Sequence, residues 1–198
     1  MDNFIALITI ILWPVIPIFW IPIHGLSKIS KRLGLLAYVI PGLVWLSLAH
    51  LLYIYRDLIL YLKMTMPIGF NILGVVLLSL GTLLHIWTGW LLGLWGLVGL
   101  PEISLRVKGR IVAEGPFSIV RHPTYLAHTL MFLGVFLLTE MISVAIITLL
   151  DFIIVNTLII PLEERELSKR FSKDYETYRE KVPDRFFPWP LRDRYRTR

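Results

Sequence analysis

Two stretches of this sequence concentrate the residue types that chemistry needs. In GRIVAEGPFSIVRHPTY, residues 109 to 125, Arg121, His122 and Tyr125 surround Pro123. In PLEERELSKRFSKDYETYREKVP, residues 161 to 183, the adjacent carboxylates Glu163 and Glu164 open a run rich in tyrosine and charge. Arginine offers a planar donor fork and a permanent charge, and ionised carboxylates only accept hydrogen bonds. Pro123 suits the first turn of a helix and biases His122 toward extended backbone, which turns its ring away from that helix. Each piece also has a plain reading. Arg121 and His122 would contact lipid headgroups beside a helix start, and the glutamates would form a solvated first turn favoured by the helix dipole.

The elements that must hold these residues are membrane spans. The 198 residues are 56% hydrophobic, with a mean hydropathy of +0.70. That is too apolar for an ordinary soluble domain and sized for one small membrane domain. A crossing helix needs roughly 20 apolar residues. Apolar stretches of this kind, uncharged apart from Asp151 in the last, run from 4 to 23, 33 to 55, 67 to 100, 124 to 138 and 142 to 161. The expected fold is an all-α integral membrane protein of about five spans. The third stretch is too long for one crossing and implies a tilt, kink or re-entrant end. Only residues 139 to 141 separate the last two, which form a tight hairpin, and residues 58 to 66 lie at the interface without crossing. The first span has neither a basic stretch before it nor a small-residue cleavage site after it, so it reads as a retained anchor.

Beyond Pro161, Leu167, Phe171, Tyr175, Tyr178 and Val182 mark one stripe of an amphipathic helix. Glu166 and Arg170 form a favourable pair on it, Glu176 and Glu180 an unfavourable one, and Pro183 ends it. Phe186, Phe187 and Trp189 then suit the headgroup level. The chain reads as a single domain over residues 1 to 198. Residues 1 to 100 serve anchoring and packing, and residues 101 to 198 hold the polar motifs.

Taken together and in this order, Gly-Pro-aromatic, Arg-His-Pro-x-Tyr, a span pair, Glu-Glu and a tyrosine-rich helix ending in Val-Pro resemble the isoprenylcysteine carboxyl methyltransferase family. Related membrane phospholipid methyltransferases share much of the pattern, which covers roughly residues 80 to 185. The resemblance implies a helical membrane enzyme that binds S-adenosylmethionine at the cytoplasmic end of its last spans and methylates a lipophilic acceptor. An isoprenylcysteine-like carboxylate is one such acceptor. It assigns Arg121 and Tyr125 to catalysis and His122, Pro123, Glu163 and Glu164 to the cofactor. Arg121 then steers an acceptor carboxylate, and Glu163 or Glu164 accepts from the ribose hydroxyls. Methyl transfer to a carboxylate needs little acid–base work, because that nucleophile is already ionised, and alignment is the main requirement.

Other features are weaker signals. Gly89, Gly93, Gly96 and Gly99 share a broad face of the third span and suit close helix packing or cofactor contact. Trp13, Trp20, Trp87, Trp90 and Trp95 read as belt or packing residues. Asp151 lies mid-span, where a charge costs at least about 2.5–3.5 kcal/mol. It would line the acceptor cavity or bond to His85, His50 or Asn156. Cysteine is absent, which excludes disulfides and thiolate sites, and His122 with His128 lacks helical metal-ligand spacing, so no metal is expected. The net charge of +6 gathers beside the spans and suits membrane lipid rather than nucleic acid. The competing functions are an NADPH-dependent reductase of sterol or isoprenoid double bonds, whose cofactor needs a cationic 2′-phosphate site, and a non-enzymatic scaffold or carrier.

Charge also sets orientation. Of 20 Lys and Arg, 18 fall in alternate segments, around Lys28, around Arg110 and Arg121, and in the tail from Arg165, whereas the other loops hold Arg56 and Lys63 only. Cytoplasmic loops carry the excess, so the N-terminus is expected outside and the C-terminus in the cytoplasm. Single cysteines introduced at positions 110 and 192 should be labelled from the same side of the membrane; labelling from opposite sides would overturn the five-span topology.

Overall fold

The computed structural model describes residues 2–104, 107 and 109–188. Arg106, Lys108, Trp189 and the arginines from position 192 onward lie outside the described residues.

The first apolar span, Asn3–Gly25, consists of α1 (Asp2–Leu12) and α2 (Val15–Gly25). They meet at Pro14, which has no N–H to continue the ladder of α1. The second, Ser27–Ile54, comprises α3 (Ser27–Leu33), a 3-10 turn (Gly34–Tyr38) and α4 (Val39–Ile54). It starts before the apolar run does, because the basic residues Lys28, Lys31 and Arg32 are themselves helical. The short α5 (Arg56–Ile59) leads into a link that does not cross. The Met64 N–H donates to the Glu140 carbonyl at 2.8 Å and the Ile142 N–H to the Leu62 carbonyl at 3.1 Å, which ties the link to the later hairpin.

The third span joins α6 (Ile68–Leu97) to α7 (Leu100–Ile103). The expected kink falls at Gly93, whose φ of 68° and ψ of 167° only glycine adopts without strain. A 3-10 turn (Gly115–Ser118) precedes α8 (Pro123–Thr139), which hairpins into α9 (Ile142–Ile154). A π-helical turn (Val155–Ile159) and α10 (Ile160–Phe171) continue that helix, and α11 (Lys173–Lys181) follows. Among the described residues, four helices are long and apolar enough to cross a membrane, and the 17-residue α8 is an apolar fifth of roughly 25 Å. The protein is an all-α, multi-pass membrane protein.

The tail departs from a single amphipathic helix. At Ser172 the backbone turns to φ 46° and ψ −117°, splitting the stripe between α10 and α11. The stripe still closes on itself: Tyr175, Tyr178 and Val182 are buried against Leu167, Phe171 and Ile111. Phe186 is not a headgroup anchor either. It is buried with Ile16, Tyr125, Val155, Ile159 and Ile160, while Phe187 remains half exposed.

Of the glycines expected to pack helices, Gly99 does so, since a Cβ there would stand 2.7 Å from the Trp20 ring on α2, but the closest crossing uses others. A Cβ on Gly81 would stand 2.8 Å from the Ala127 carbonyl, and one on Gly134 would stand 2.6 Å from the Leu78 nitrogen. These two, with Gly74, let α6 and α8 touch backbone to backbone. A Cβ at Gly89 or Gly96 would meet only leucine side chains of its own span, and Gly93 has open space around it. Asp151 bonds to none of the partners expected for it: Trp13 Nε1 donates to its Oδ1 at 3.1 Å. Trp87, Trp90 and Trp95 are exposed, and Trp95 also lines a cavity between the helices. Gly81→Leu or Gly134→Leu should each cost about 1–3 kcal/mol by overpacking the crossing. Gly69→Leu, in open space, should cost nothing, and unfolding midpoints in detergent compare the three.

Candidate functional site

The two motifs converge where α2, α8 and α10 meet. Pro123, fully buried, opens α8, and the backbone leaves helical geometry at His122 with φ −124° and ψ 58°. This turns both Arg121 and His122 inward, where they are 9% and 4% exposed. From the other side, the π-helical turn adds a residue to the helical phase before α10 delivers Glu163 and Glu164.

Arg121 and Glu164 form the centre. Glu164 Oε1 accepts from Arg121 Nε at 2.9 Å, lies 2.8 Å from Arg121 Nη2 and stands 3.3 Å from His122 Nε2. Its Oε2 accepts from Arg185 at 2.8 Å. Arg121 Nη1 donates to the Val182 and Pro183 carbonyls, each at 2.7 Å. The Arg121 and His122 backbone N–H groups donate to the Asp184 and Arg185 carbonyls. Of the five N–H donors of a guanidinium, three are thus hydrogen-bonded inside the protein, and Nη2 lies against the carboxylate. The arginine read as an acceptor-steering fork clamps the chain after α11, and Glu164, read as a ribose acceptor, has both oxygens engaged by arginines.

Glu163 is different. Helical neighbours point about 100° apart, so it faces away from the clamp, into a cavity of about 1020 Å³. Its Oε2 is buried without a hydrogen-bond partner. It lies 3.7 Å from His122 Nδ1 and 4.0 Å from His24 Nε2. Tyr125 lines the same cavity and packs beside the His122 ring, with centroids 6.0 Å apart. Tyr175, also at the wall, has a buried hydroxyl without a partner, and the Tyr178 hydroxyl donates to the Phe117 carbonyl at 2.7 Å. Burial pushes both phenols up from their ordinary range, so both stay neutral.

The sequence reading missed several residues. His24 from α2 is buried with both ring nitrogens unpartnered and stacks on Trp20 at 5.3 Å; both line the cavity. A lone histidine ending an apolar span carries no signal by itself. Glu102, from α7, holds Arg170 at 2.8 Å, and Arg170 also stands 3.4 Å from Glu166. Lys31 reaches Glu166 at 3.2 Å. The cavity runs from these polar groups down an apolar wall that includes Ile5, Leu12, Leu78 and Val135. Such a shape suits a ligand with a polar head and an apolar chain.

A family model described as phospholipid methyltransferase matches residues 70–174, just over half of the chain. The chain belongs to that family. The matched region contains α8, the clamp's Arg121 and Glu164, and Glu163, while His24 and Trp20 lie before it. The cobalt-zinc-cadmium resistance protein CzcN of Cupriavidus metallidurans is 34% identical over 86 residues, or 43% of this chain and 39% of the relative. The nickel-cobalt-cadmium resistance protein NccN of Alcaligenes xylosoxydans xylosoxydans matches with the same identity and coverage. The match thus spans about two fifths of each relative's length. No solved structure matches significantly.

The clamp makes a prediction about stability. Removing one partner of a buried pair leaves the other uncompensated, so Arg121→Ala or Glu164→Ala should cost about 3–5 kcal/mol, and Arg121→Met with Glu164→Leu much less. Arg185, whose side chain is 44% exposed, should cost at most about 1 kcal/mol as Arg185→Ala. Chemical unfolding in detergent measures all four; a harmless Arg121→Ala would remove the clamp.

Proposed function

We propose that this protein is an integral membrane S-adenosylmethionine-dependent methyltransferase that acts on a lipophilic acceptor. One observation carries the reading: in a chain of the phospholipid methyltransferase family, a single cavity joins partner-less polar groups to an apolar channel between the helices.

The residues fit the cofactor. Its ribose hydroxyls and ammonium need acceptors, its carboxylate needs donors, and its adenine needs a flat surface. Glu163 Oε2 and the His24 ring nitrogens are buried and unpartnered, as are Nε and Nη1 of Arg170. Trp20 and Phe117 supply flat walls. When bound, the cofactor supplies an electrophilic methyl group on a sulfonium. Glu163 would accept from its hydroxyls or ammonium, the ring of His122 would hold Glu163 in place, and Arg170 would face its carboxylate. Arg121, Glu164 and Pro123 would position these groups from behind, and Tyr125 would shape the passage between the polar end and the channel. The apolar wall excludes water from the acceptor, which strengthens every electrostatic contact inside.

Three cations line the cavity among the described residues. Arg110 pairs with Glu114, Arg121 with Glu164, and Arg170 with Glu102 and Glu166. The unpartnered Glu163 carboxylate suits free ribose hydroxyls and would repel an extra phosphate, which supports S-adenosylmethionine over NADPH. The charge asymmetry supports a cytoplasmic site with the N-terminus outside.

Purified protein should bind S-adenosylhomocysteine in calorimetry and transfer labelled methyl to a lipid extract. Glu163→Ala should weaken that binding tenfold or more, the value of one charged hydrogen bond of about 1.5–3 kcal/mol, with the fold intact. Binding of NADPH but not S-adenosylhomocysteine would overturn the proposal. Equal affinity of the Glu163→Ala protein would remove the residue from the cofactor site.

A further inference from the structure

The cavity holds a second polar station that the reading above does not use. His85 on α6 and His128 on α8 both line it and lie ring against ring, with centroids 4.8 Å apart. Nδ1 of each is buried and has no hydrogen-bond partner. The wall around them is otherwise apolar, with Leu78, Met131 and Phe132 among its residues. A buried polar atom left unsatisfied costs about 1–3 kcal/mol. Helix packing alone asks for no such pair, because leucine would fill the same space without that cost.

The surrounding groups define what the station can receive. On α8, Tyr125 lies one turn away, its ring centroid 6.3 Å from that of His128. From α1, the Thr9 hydroxyl donates to the Ile5 carbonyl of its own helix. From α9, Asp151 is bonded to Trp13 and does not line the cavity. The cations that do, Arg110, Arg121 and Arg170, are each paired with a carboxylate. Among the described residues, therefore, no unpaired cation lines the cavity. A carboxylate arriving at the two imidazoles is already ionised and has no proton to give them, so it would gain nothing from their free acceptor nitrogens. A nucleophile that still carries its proton meets imidazole nitrogens with a free lone pair to accept it.

We propose that His85 and His128 form the site that activates the acceptor, and that the acceptor is a proton-bearing nucleophile on an apolar chain, an amine, phenol or thiol, not a carboxylate. This rests on the methyl-transfer reading. The acceptor atom's lone pair forms the new bond to the methyl carbon, and the carbon–sulfur bond breaks with its electron pair left on sulfur. The acceptor's proton passes to Nδ1 of one histidine. Charge balances, since the positive charge lost at sulfur reappears on the imidazolium, and the second ring stands ready to share that proton. The two histidines are catalytic residues in this scheme, and Tyr125 packs beside both His128 and the His122 ring at the cofactor end.

The test uses the full-length protein, labelled with ¹⁵N-histidine, in lipid nanodiscs. Probes of matched apolar character are added one at a time: decylamine, 4-nonylphenol, decanethiol and decanoate. His85→Phe and His128→Phe identify the two sets of ring signals. At least one proton-bearing probe should move both sets toward the hydrogen-bonded or protonated position, and decanoate should leave them unmoved. An equal response to decanoate, or no response to any proton-bearing probe, overturns the proposal. The same spectra, taken with S-adenosylhomocysteine, report on His24 and His122. Silence there would overturn the methyltransferase reading, whereas the His85 and His128 result stands separately. In a transfer assay with labelled methyl, His128→Asn should lose about 10²–10⁴ in turnover at unchanged S-adenosylhomocysteine affinity. Label released from the wild-type product as methanol by mild alkali would mark a methyl ester and also overturn the proposal.

Discussion

The buried pair of Arg121 and Glu164 is the constraint on which the rest of the polar end depends. Taking both charges out of water costs several kcal/mol per ion, and their mutual attraction offsets this only where the remaining donors and acceptors are satisfied. Here the fork donates to two carbonyls beyond α11, and the carboxylate accepts from Arg185 as well. Three segments far apart in sequence, the start of α8, α10 and the chain from Val182 to Arg185, are thereby held to one position. Replacing either ion leaves a charge inside, so the pair specifies the arrangement more than it adds net stability.

That anchorage explains how the cavity stays open. The glycine-lined crossing brings α6 and α8 to backbone contact in the middle of the bundle, so the space between elements lies on the side of α1 and α2. Aromatic and imidazole rings at His122, Tyr125, His128 and Phe132 follow one face of α8 at helical spacing. They line the route from the polar end into the apolar channel. A narrow helix crossing and a wide ring-lined face on the same helix are two results of its side-chain sizes.

Much of this was legible in the sequence, for identifiable reasons. The spans follow from hydropathy, because the membrane leaves an apolar run few alternatives to a helix. The kink followed from a run too long for one crossing, and the motifs marked the right end of the bundle. Side-chain partnership was not legible. Nothing local tells that Asp151 meets Trp13, that His24 approaches Glu163, or that Gly81 and Gly134 hold the crossing while Gly93 bends a helix, since each depends on the packing of distant elements. The break at Ser172 was hidden for a related reason. The apolar stripe continues through it, and the turn is visible only in the backbone angle.

The adjacent carboxylates show how far residue type alone can carry an assignment. Glu163 and Glu164 are chemically the same and were interchangeable as hydrogen-bond acceptors in the sequence. One helical step separates them, and a step of about 100° is enough to send them to different places. Glu164 turns into the protein, where two arginines and a histidine surround it. Glu163 turns into the cavity, where an oxygen waits without a partner. The same logic applies to the arginine. A guanidinium is a good ligand for an incoming anion only while its donors are free, and Arg121 has committed most of them to the fold. An arrangement with its motif arginine and one motif glutamate bound to each other leaves recognition to the groups whose hydrogen bonds remain unmade. Those are Glu163 and His24 at the polar end of the cavity and the paired histidines one helical turn beyond Tyr125.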